Sequence, residues 1–432
     1  MEIETLKRSH LKRNIIIGVV AVGIISAIVL NFTRAKYRIT QSIPLVNGTI
    51  NYELSDLNII GLYVDGEKVD SLDGSKQYTL DTTQSICTYK DGSEIQNVSI
   101  SYDSKTKELQ IVPFTTKGTK CTLYFDEKQA PLLKDTILVN ATSQLVRTNF
   151  RLALTDITTN VIYYFNTSKG RTYYFAGNPT DNWVKFGEFY WRIIRINEDG
   201  TVRLIYQGVS ANATGTGTQI GTSTFNSSSN NNAYVGYMYT LNEVHGLGNS
   251  STIKGVLDQW YQNNLMGVAD KLDGNAGFCG ERMPSTSSST SNGNGGLGTT
   301  TTYYGFVKLW GNDSGTPTFE CNTSDLYTVK DSAQGNGSLI YPIGLINMDE
   351  AWFAGGYQTA NSSFYLYTDQ NYWTMSPSFF DNSTAYTFRV YSNGQILGIN
   401  VDDSNGIRPV INLKADVTIR SGSGTAQDPY VI

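Results

Sequence analysis

Two hydrophobic patterns divide the chain. Residues 14–33 form an uncharged apolar run that, as a helix rising ~1.5 Å per residue, would span ~30 Å and cross a bilayer. From about residue 40 the pattern changes to short alternating or apolar runs, at 49–54, 59–64, 77–80, 86–89, 98–102, 109–112 and 121–125. Asp65-Gly66, Asp91-Gly92 and Lys117-Gly118 punctuate them with residues that tolerate positive φ. Residues 40–127 therefore predict an Ig-like β-sandwich, ending near Ala130-Pro131. Residues 128–170 read as a linker with a short helix over 132–145. Residues 171–432 hold all six tryptophans and so predict a large core.

Within that last region, residues 190–206 predict a hairpin turning at Glu198-Asp199-Gly200, with Trp191, Ile193 and Arg195 on one face and Arg192, Ile194 and Ile196 on the other. Ile253, Leu257, Trp260, Tyr261 and Leu265 follow helical spacing behind the capping residues Ser250, Ser251 and Thr252. A second, shorter helix is expected over 349–354, ended by Gly355-Gly356. Residues 208–232 and 284–302 consist largely of Ser, Thr, Asn and Gly and read as loosely packed loops.

Composition narrows the class. Charged residues are only 16% and aromatics 12%, with 28 Tyr and 41 Gly, which suits half-buried strands and turns and argues against a helical bundle. The net charge of −5 gives no footprint for nucleic acid. Lys7, Arg8, Lys12, Arg13, Arg34, Lys36 and Arg38 flank the apolar run, and everything beyond Arg38 has 26 Lys and Arg against 36 Asp and Glu, a net of −10. The pattern predicts a cytoplasmic tail over 1–13, a transmembrane signal-anchor over 14–33 and an acidic exported remainder. A cleaved signal peptide is the rival reading, although the run lacks a small-x-small cleavage site.

Cys87, Cys121, Cys279 and Cys321 all follow the apolar run. Four cysteines allow three pairings, and proximity in sequence favours Cys87 with Cys121 and Cys279 with Cys321. The alternatives are four reduced thiols or a metal site, and with no CxxC and only His10 and His245, zinc has few ligands to draw on. No metal or cofactor is expected.

Several strings carry a resemblance: Arg171-Thr-Tyr-Tyr-Phe-Ala-Gly-Asn178, the run from Trp183 to Ile196, the run from Tyr341 to Gly356, Tyr372-Trp-Thr-Met-Ser-Pro377, Gly406-Ile-Arg-Pro-Val-Ile-Asn-Leu413, the terminal stretch 422–432 and Lys117-Gly-Thr-Lys-Cys-Thr-Leu-Tyr-Phe-Asp126. Over most of its length the chain resembles a family of membrane-anchored surface proteins of gut Firmicutes. The layout of the last region is similar to C-type-lectin-like domains of the formylglycine-generating-enzyme type. That resemblance implies an α+β lectin-like head at the cell surface; it does not imply catalysis, because the reactive cysteine pair and metal ligands of the oxidase members are not recognisable here.

The candidate residues divide by chemistry. Trp191, Trp373, Ser376 and Arg408 are expected to build the core, Arg408 through a buried charge-assisted hydrogen bond. Asp349 and Glu350 are candidates for paired carboxylates, but neighbours on a helix point different ways and capping is the simpler role. His245 would have to serve any histidine-dependent catalysis and has no Gly-x-Ser-x-Gly elbow beside it. Asp402-Asp403 in a turn lacks an EF-hand ligand pattern, and the sequons at Asn226 and Asn361 are what this composition produces by chance. Tyr303, Tyr304, Tyr365 and Tyr367 are candidates for stacking on a glycan or protein partner. Together these readings predict a surface-displayed binding or adhesion protein. The rivals are a hydrolase using carboxylates in the head, which requires carboxyls of raised pKa in a concave pocket, and a cell-envelope spacer, which predicts no pocket.

Overall fold

A computed structural model describes residues 42–44, 57–74, 76–104, 106–112, 118–285, 296–311, 315–330 and 332–432. The chain divides into two compact units, Met1–Ala130 and Pro131–Ile432.

The first unit is two antiparallel or mixed sheets. Strands β1 (Ser42–Pro44), β6 (Ser99–Asp103) and β7 (Glu108–Val112) form one in the order β1-β7-β6. The other contains β2 (Leu57–Val64), β3 (Glu67–Lys68), β4 (Gln77–Leu80), β5 (Ile86–Thr88) and the long β8 (Thr119–Lys128), which pairs with β2, β4 and β5. Asp65, Gly66, Gly92 and Gly118 take positive φ at the turns, where short or absent side chains avoid the clash that other residues meet. Leu62, Ile100, Leu109, Ile111, Leu123 and Phe125 alternate inward to form the core. Two features depart from an Ig-like sandwich: β2 runs parallel to β8, and Cys87 and Cys121 are direct register partners on neighbouring strands of one sheet rather than a bridge between sheets.

The second unit begins well before residue 171. Helix α1 (Leu133–Asn140) buries Leu133 and Ile137 in the main core, and β9 (Ser143–Leu145) adds in parallel to β10 (Val161–Thr167). The stretch expected as a linker is therefore, from Pro131 onward, part of this unit. An eight-stranded sheet continues from β10 through β11 (Gly170–Tyr174), β13 (Phe189–Ile196) and β14 (Val202–Gly208) to β18 (Val410–Leu413). Strand β12 (Trp183–Phe186) pairs with β13 and with the terminal β19 (Tyr430–Val431). A six-stranded sheet is centred on β15 (Tyr372–Phe380), β16 (Ala385–Val390) and β17 (Ile396–Asn400). Three helices complete the unit: α2 (Thr252–Asn264), capped by Ser251, then α3 (Gly305–Trp310) and α4 (Met348–Phe353). Every residue of β14 is buried, so the hairpin lies in a sheet covered on both faces.

The expected fold class needs correction. The run 14–33 lies outside the described residues, and no helix among the described residues is long and apolar enough to cross a membrane. The longest, α2, has 13 residues, short of the ~20 that a bilayer requires. The described residues form two units built mainly of β-sheet with few, short helices, rather than an Ig-like sandwich followed by an α+β head, and no membrane-spanning helix is among them. The loop expected over 208–232 is also well packed: Phe225 and Asn226 are buried there, with Phe225 edge-on to Trp373 at 5.7 Å between ring centres.

Candidate functional site

The most chemically loaded region of the second unit gathers side chains from elements far apart in sequence. Its floor is the start of α4. Asn347 accepts a hydrogen bond from the Glu350 backbone N–H at 2.8 Å, and the Glu350 carboxylate accepts from the Asn347 N–H at 3.1 Å, a reciprocal cap that satisfies two backbone donors. The second oxygen of Glu350 lies 2.5 Å from Arg203 Nε and 3.1 Å from Arg195 Nε. Glu350 is thereby fixed between the cap and two guanidinium groups.

Asp349, one position earlier, turns the opposite way. It is fully buried, pairs with Lys308 of α3 and accepts the Thr318 N–H at 2.9 Å through Oδ2. Its Oδ1 has no hydrogen-bond partner among the described residues.

Glu281 completes the group. It follows the short strand Phe278–Cys279, which pairs with Leu326–Tyr327, and adopts φ +48°, a conformation unfavourable for a residue with a side chain. Asp325 holds this turn from both sides: its carbonyl accepts the Gly280 N–H at 2.8 Å and its Oδ2 the Arg282 N–H at 3.0 Å. Ser376 of β15 donates to the Glu281 carboxyl while its oxygen accepts the Met348 N–H at 2.7 Å. Burial, reinforced by the neighbouring Asp349 charge, pushes the Glu281 carboxyl well above the usual carboxylate range, against the opposing pull of Lys308 and Ser376. Burial works against the Lys308 ammonium, but Asp349 and Glu281 outweigh it and hold its pKa above the ordinary lysine value.

Of these groups, Glu281 and Lys308 border a cavity of about 480 Å³. Glu281, Lys308, Glu320 and Asp325 supply its charged lining, with Ser285, Thr318 and Asn322 as further polar groups, and Met283, Pro284, Tyr304, Val307 and Met348 its apolar lining. The disulfide Cys279–Cys321 forms part of the wall, with Cα atoms 5.9 Å apart, and also borders a second cavity of about 220 Å³ shared with Arg195, Asn197 and Asn347. Both expected disulfides are present, which accounts for all four cysteines and is the pattern of an oxidising compartment.

The remaining candidates fall elsewhere. Arg408 is fully buried without a carboxylate: it donates to the Tyr206 and Leu366 carbonyls at 3.1 Å each and to Gln207 at 2.7 Å, and its guanidinium covers the Tyr372 ring. Trp191 and Trp373 are buried with their indole N–H groups on backbone carbonyls. Asp402 accepts from Ser229. Asn226 and Asn361 spend their amides on internal carbonyls and are buried. His245 Nδ1 meets Asp325 at 2.8 Å; burial raises the Asp325 carboxyl against the opposing effect of His245. The aromatic ligand face needs correction: Tyr304 and Tyr365 are buried, Tyr365 beneath the Arg192 guanidinium, because their rings fill the core. Tyr303 stacks on Phe379, and Tyr367 packs against the core. Only Tyr304 borders the cavity.

Sequence reasoning singled out Asp349 and Ser376 as structural residues and missed Glu281 and Lys308. The one local hint was the position of Glu281 two residues after a cysteine of the expected bridge. No family model matches the chain, nor does any curated protein or solved structure.

Proposed function

We propose that this chain is an extracytoplasmic binding protein that holds a small ligand, or the end of a glycan chain, in the cavity bordered by Glu281 and Lys308. The observation that carries this reading is a cavity of about 480 Å³ in which one wall is apolar and another presents a high-pKa carboxyl and an ammonium. Paired cysteines support an exported location, as does the resemblance to surface proteins. A pure spacer has no use for such a cavity.

Hydrolysis is the second reading, favoured by the raised pKa of Glu281, which suits a proton donor. It also requires a base facing the same space. The carboxylates that face it are engaged, Glu320 by the Ser168 N–H and hydroxyl and Asp325 by His245 and the Arg282 N–H, while Asp349, held by Lys308 and the Thr318 N–H, does not border the cavity. Binding is therefore the stronger reading.

The test is ligand-observed NMR of a fragment library against the full chain and against Met283→Trp. Met283 is half exposed at the cavity edge, so the larger ring obstructs the space without entering the core. Fragments that bind the wild type and lose contact in the variant support the reading. Fragments unaffected by the obstruction, or no bound fragments at all, overturn it.

A further inference from the structure

The smaller cavity, of about 220 Å³, is lined by two buried asparagines and an arginine whose hydrogen-bonding groups are not all used within the protein. Asn197 is 6% exposed. Its Nδ2 donates to Thr201 Oγ1 at 2.8 Å and to Asn412 Oδ1 at 3.4 Å, which fixes the orientation of the amide, and its Oδ1 has no hydrogen-bond partner among the described residues. Asn347 is 5% exposed and commits its Oδ1 to the Glu350 N–H, while its Nδ2 donates to no group among the described residues. Arg195 spends Nε on Glu350 and lays its guanidinium over the Phe319 ring at 4.7 Å, and its two terminal nitrogens donate to none of the described residues. Buried polar atoms are costly without partners, so these three residues call for a group that gives one hydrogen bond and takes others.

Resting on the proposed binding role, we infer that this cavity is a second subsite for the same ligand, taking the hydroxyls of a neutral sugar unit whose chain continues past the Cys279–Cys321 bridge into the larger cavity. The hydrogen-bond inventory selects the class. An ammonium only donates and leaves Asn347 and Arg195 without an acceptor; a carboxylate only accepts and leaves Asn197 without a donor. A hydroxyl donates and accepts through one oxygen, so neighbouring hydroxyls of one ring answer all three residues. The position of the cavity sets the length of the ligand. Cys279, Glu320 and Cys321 border both cavities, and the two cysteines are half-buried where Cys87 and Cys121 are fully buried, so the bridge is open surface between the two spaces. At about 220 Å³ the smaller space lies below the ~300 Å³ at which a pocket encloses a whole ligand, so it suits one unit of a longer molecule.

The test is an array of neutral oligosaccharides, with charged glycans and peptides alongside, probed with the full chain, with Met283→Trp and with Gln334→Trp. Gln334 is exposed at the edge of the smaller cavity, so the larger ring obstructs that space without entering the core. Neutral oligosaccharides retained by the wild type should bind at least about tenfold more weakly to each variant, and their single sugar units should bind more weakly than the chains. Asn347→Asp keeps the cap, since Asp and Asn serve that position equally, but removes the Nδ2 donor; it should weaken the same oligosaccharides, with urea unfolding confirming that each variant is folded. Oligosaccharides indifferent to Gln334→Trp, equal binding by Asn347→Asp, retention of charged glycans or peptides in place of neutral sugars, or no retained sugar overturns the second subsite. Because the fragment experiment reads the larger cavity alone, fragments lost in Met283→Trp alongside sugars indifferent to Gln334→Trp refute only this inference, whereas failure of both experiments refutes the binding role itself.

Discussion

Replacing Glu350 with glutamine tests whether the α4 carboxylate is what holds the centre of the second unit. Glutamine retains the shape and can still close the cap on the Asn347 N–H, so the substitution isolates the charge. Arg203 is 1% exposed, and burial lowers its pKa to about 10 even though Glu350 opposes that shift. Losing the carboxylate leaves a buried guanidinium, with Arg195 beside it, compensated only by carbonyl and amide oxygens such as Gly277 O at 2.8 Å. Breaking a buried pair from one side costs about 3–5 kcal/mol. Glu350→Gln should therefore destabilise by about 3 kcal/mol, and Glu350→Ala by about 1 kcal/mol more through loss of the cap. Arg203→Met alone strands the carboxylate, but the double variant Glu350→Gln, Arg203→Met should recover at least about 1 kcal/mol relative to the sum of the single changes. All six tryptophans lie between Trp183 and Trp373, so tryptophan fluorescence during urea unfolding reports on the second unit alone. A loss below about 1 kcal/mol for Glu350→Gln, or additive behaviour in the double variant, would show that the charge is not what holds this centre.

Three further outcomes follow from the same packing. The bridges Cys87–Cys121 and Cys279–Cys321 close sequence separations of 34 and 42 residues, and serine replacement of either pair should cost about 4 kcal/mol on loop-entropy grounds, read as a lower urea midpoint of the corresponding unit. Glu281 binds its proton more tightly folded than unfolded, so its stabilising contribution is complete below about pH 4.5 and is lost as pH rises through its native value. Glu281→Gln should flatten the decline of the second unit's melting temperature above pH 4.5, and an unchanged profile would contradict the assigned burial. Arg408→Leu should cost about 3 kcal/mol, because it removes the donor to the Tyr206 carbonyl and the Gln207 amide oxygen and leaves the Leu366 carbonyl with the Tyr372 hydroxyl, and Arg408→Lys should recover only part of it by urea titration.

Local signals were legible and long-range ones were not. The hairpin at 190–206 was written in its alternation and in Gly200, which adopts φ +83° at the turn, and α2 in its apolar spacing and Ser251 cap. Those features depend on neighbours within a few residues. The loop at 208–232 was misjudged because composition reports apolar burial, whereas Asn226 and Asn232 are buried by giving their amides to carbonyls of Tyr234, Gly236, Leu297 and Thr300. Tyr304 and Tyr365 were misplaced for a related reason: an aromatic in a polar-looking segment carries no mark of which face of the fold it meets.

The site follows the same logic. Glu281, Lys308, Asp349 and Ser376 come from a turn, two helices and a strand, and no spacing links them. Asp349 and Glu350 were correctly expected to point apart, yet what each meets is decided by α3 on one side and the β13–β14 hairpin on the other. That division has a functional consequence. Glu350 is used up in holding the sheet to α4, so it is Asp349, engaged by Lys308, that raises the Glu281 pKa most strongly among the neighbouring charges. Lys308 opposes Asp349 by drawing the Glu281 carboxyl towards the anion, so Lys308→Met should leave Asp349 buried without its cation and raise the Glu281 carboxyl further. The expected result is a decline of the second unit's melting temperature that extends to higher pH than in the wild type, and an unchanged profile would exclude Lys308 as the charge that opposes Asp349.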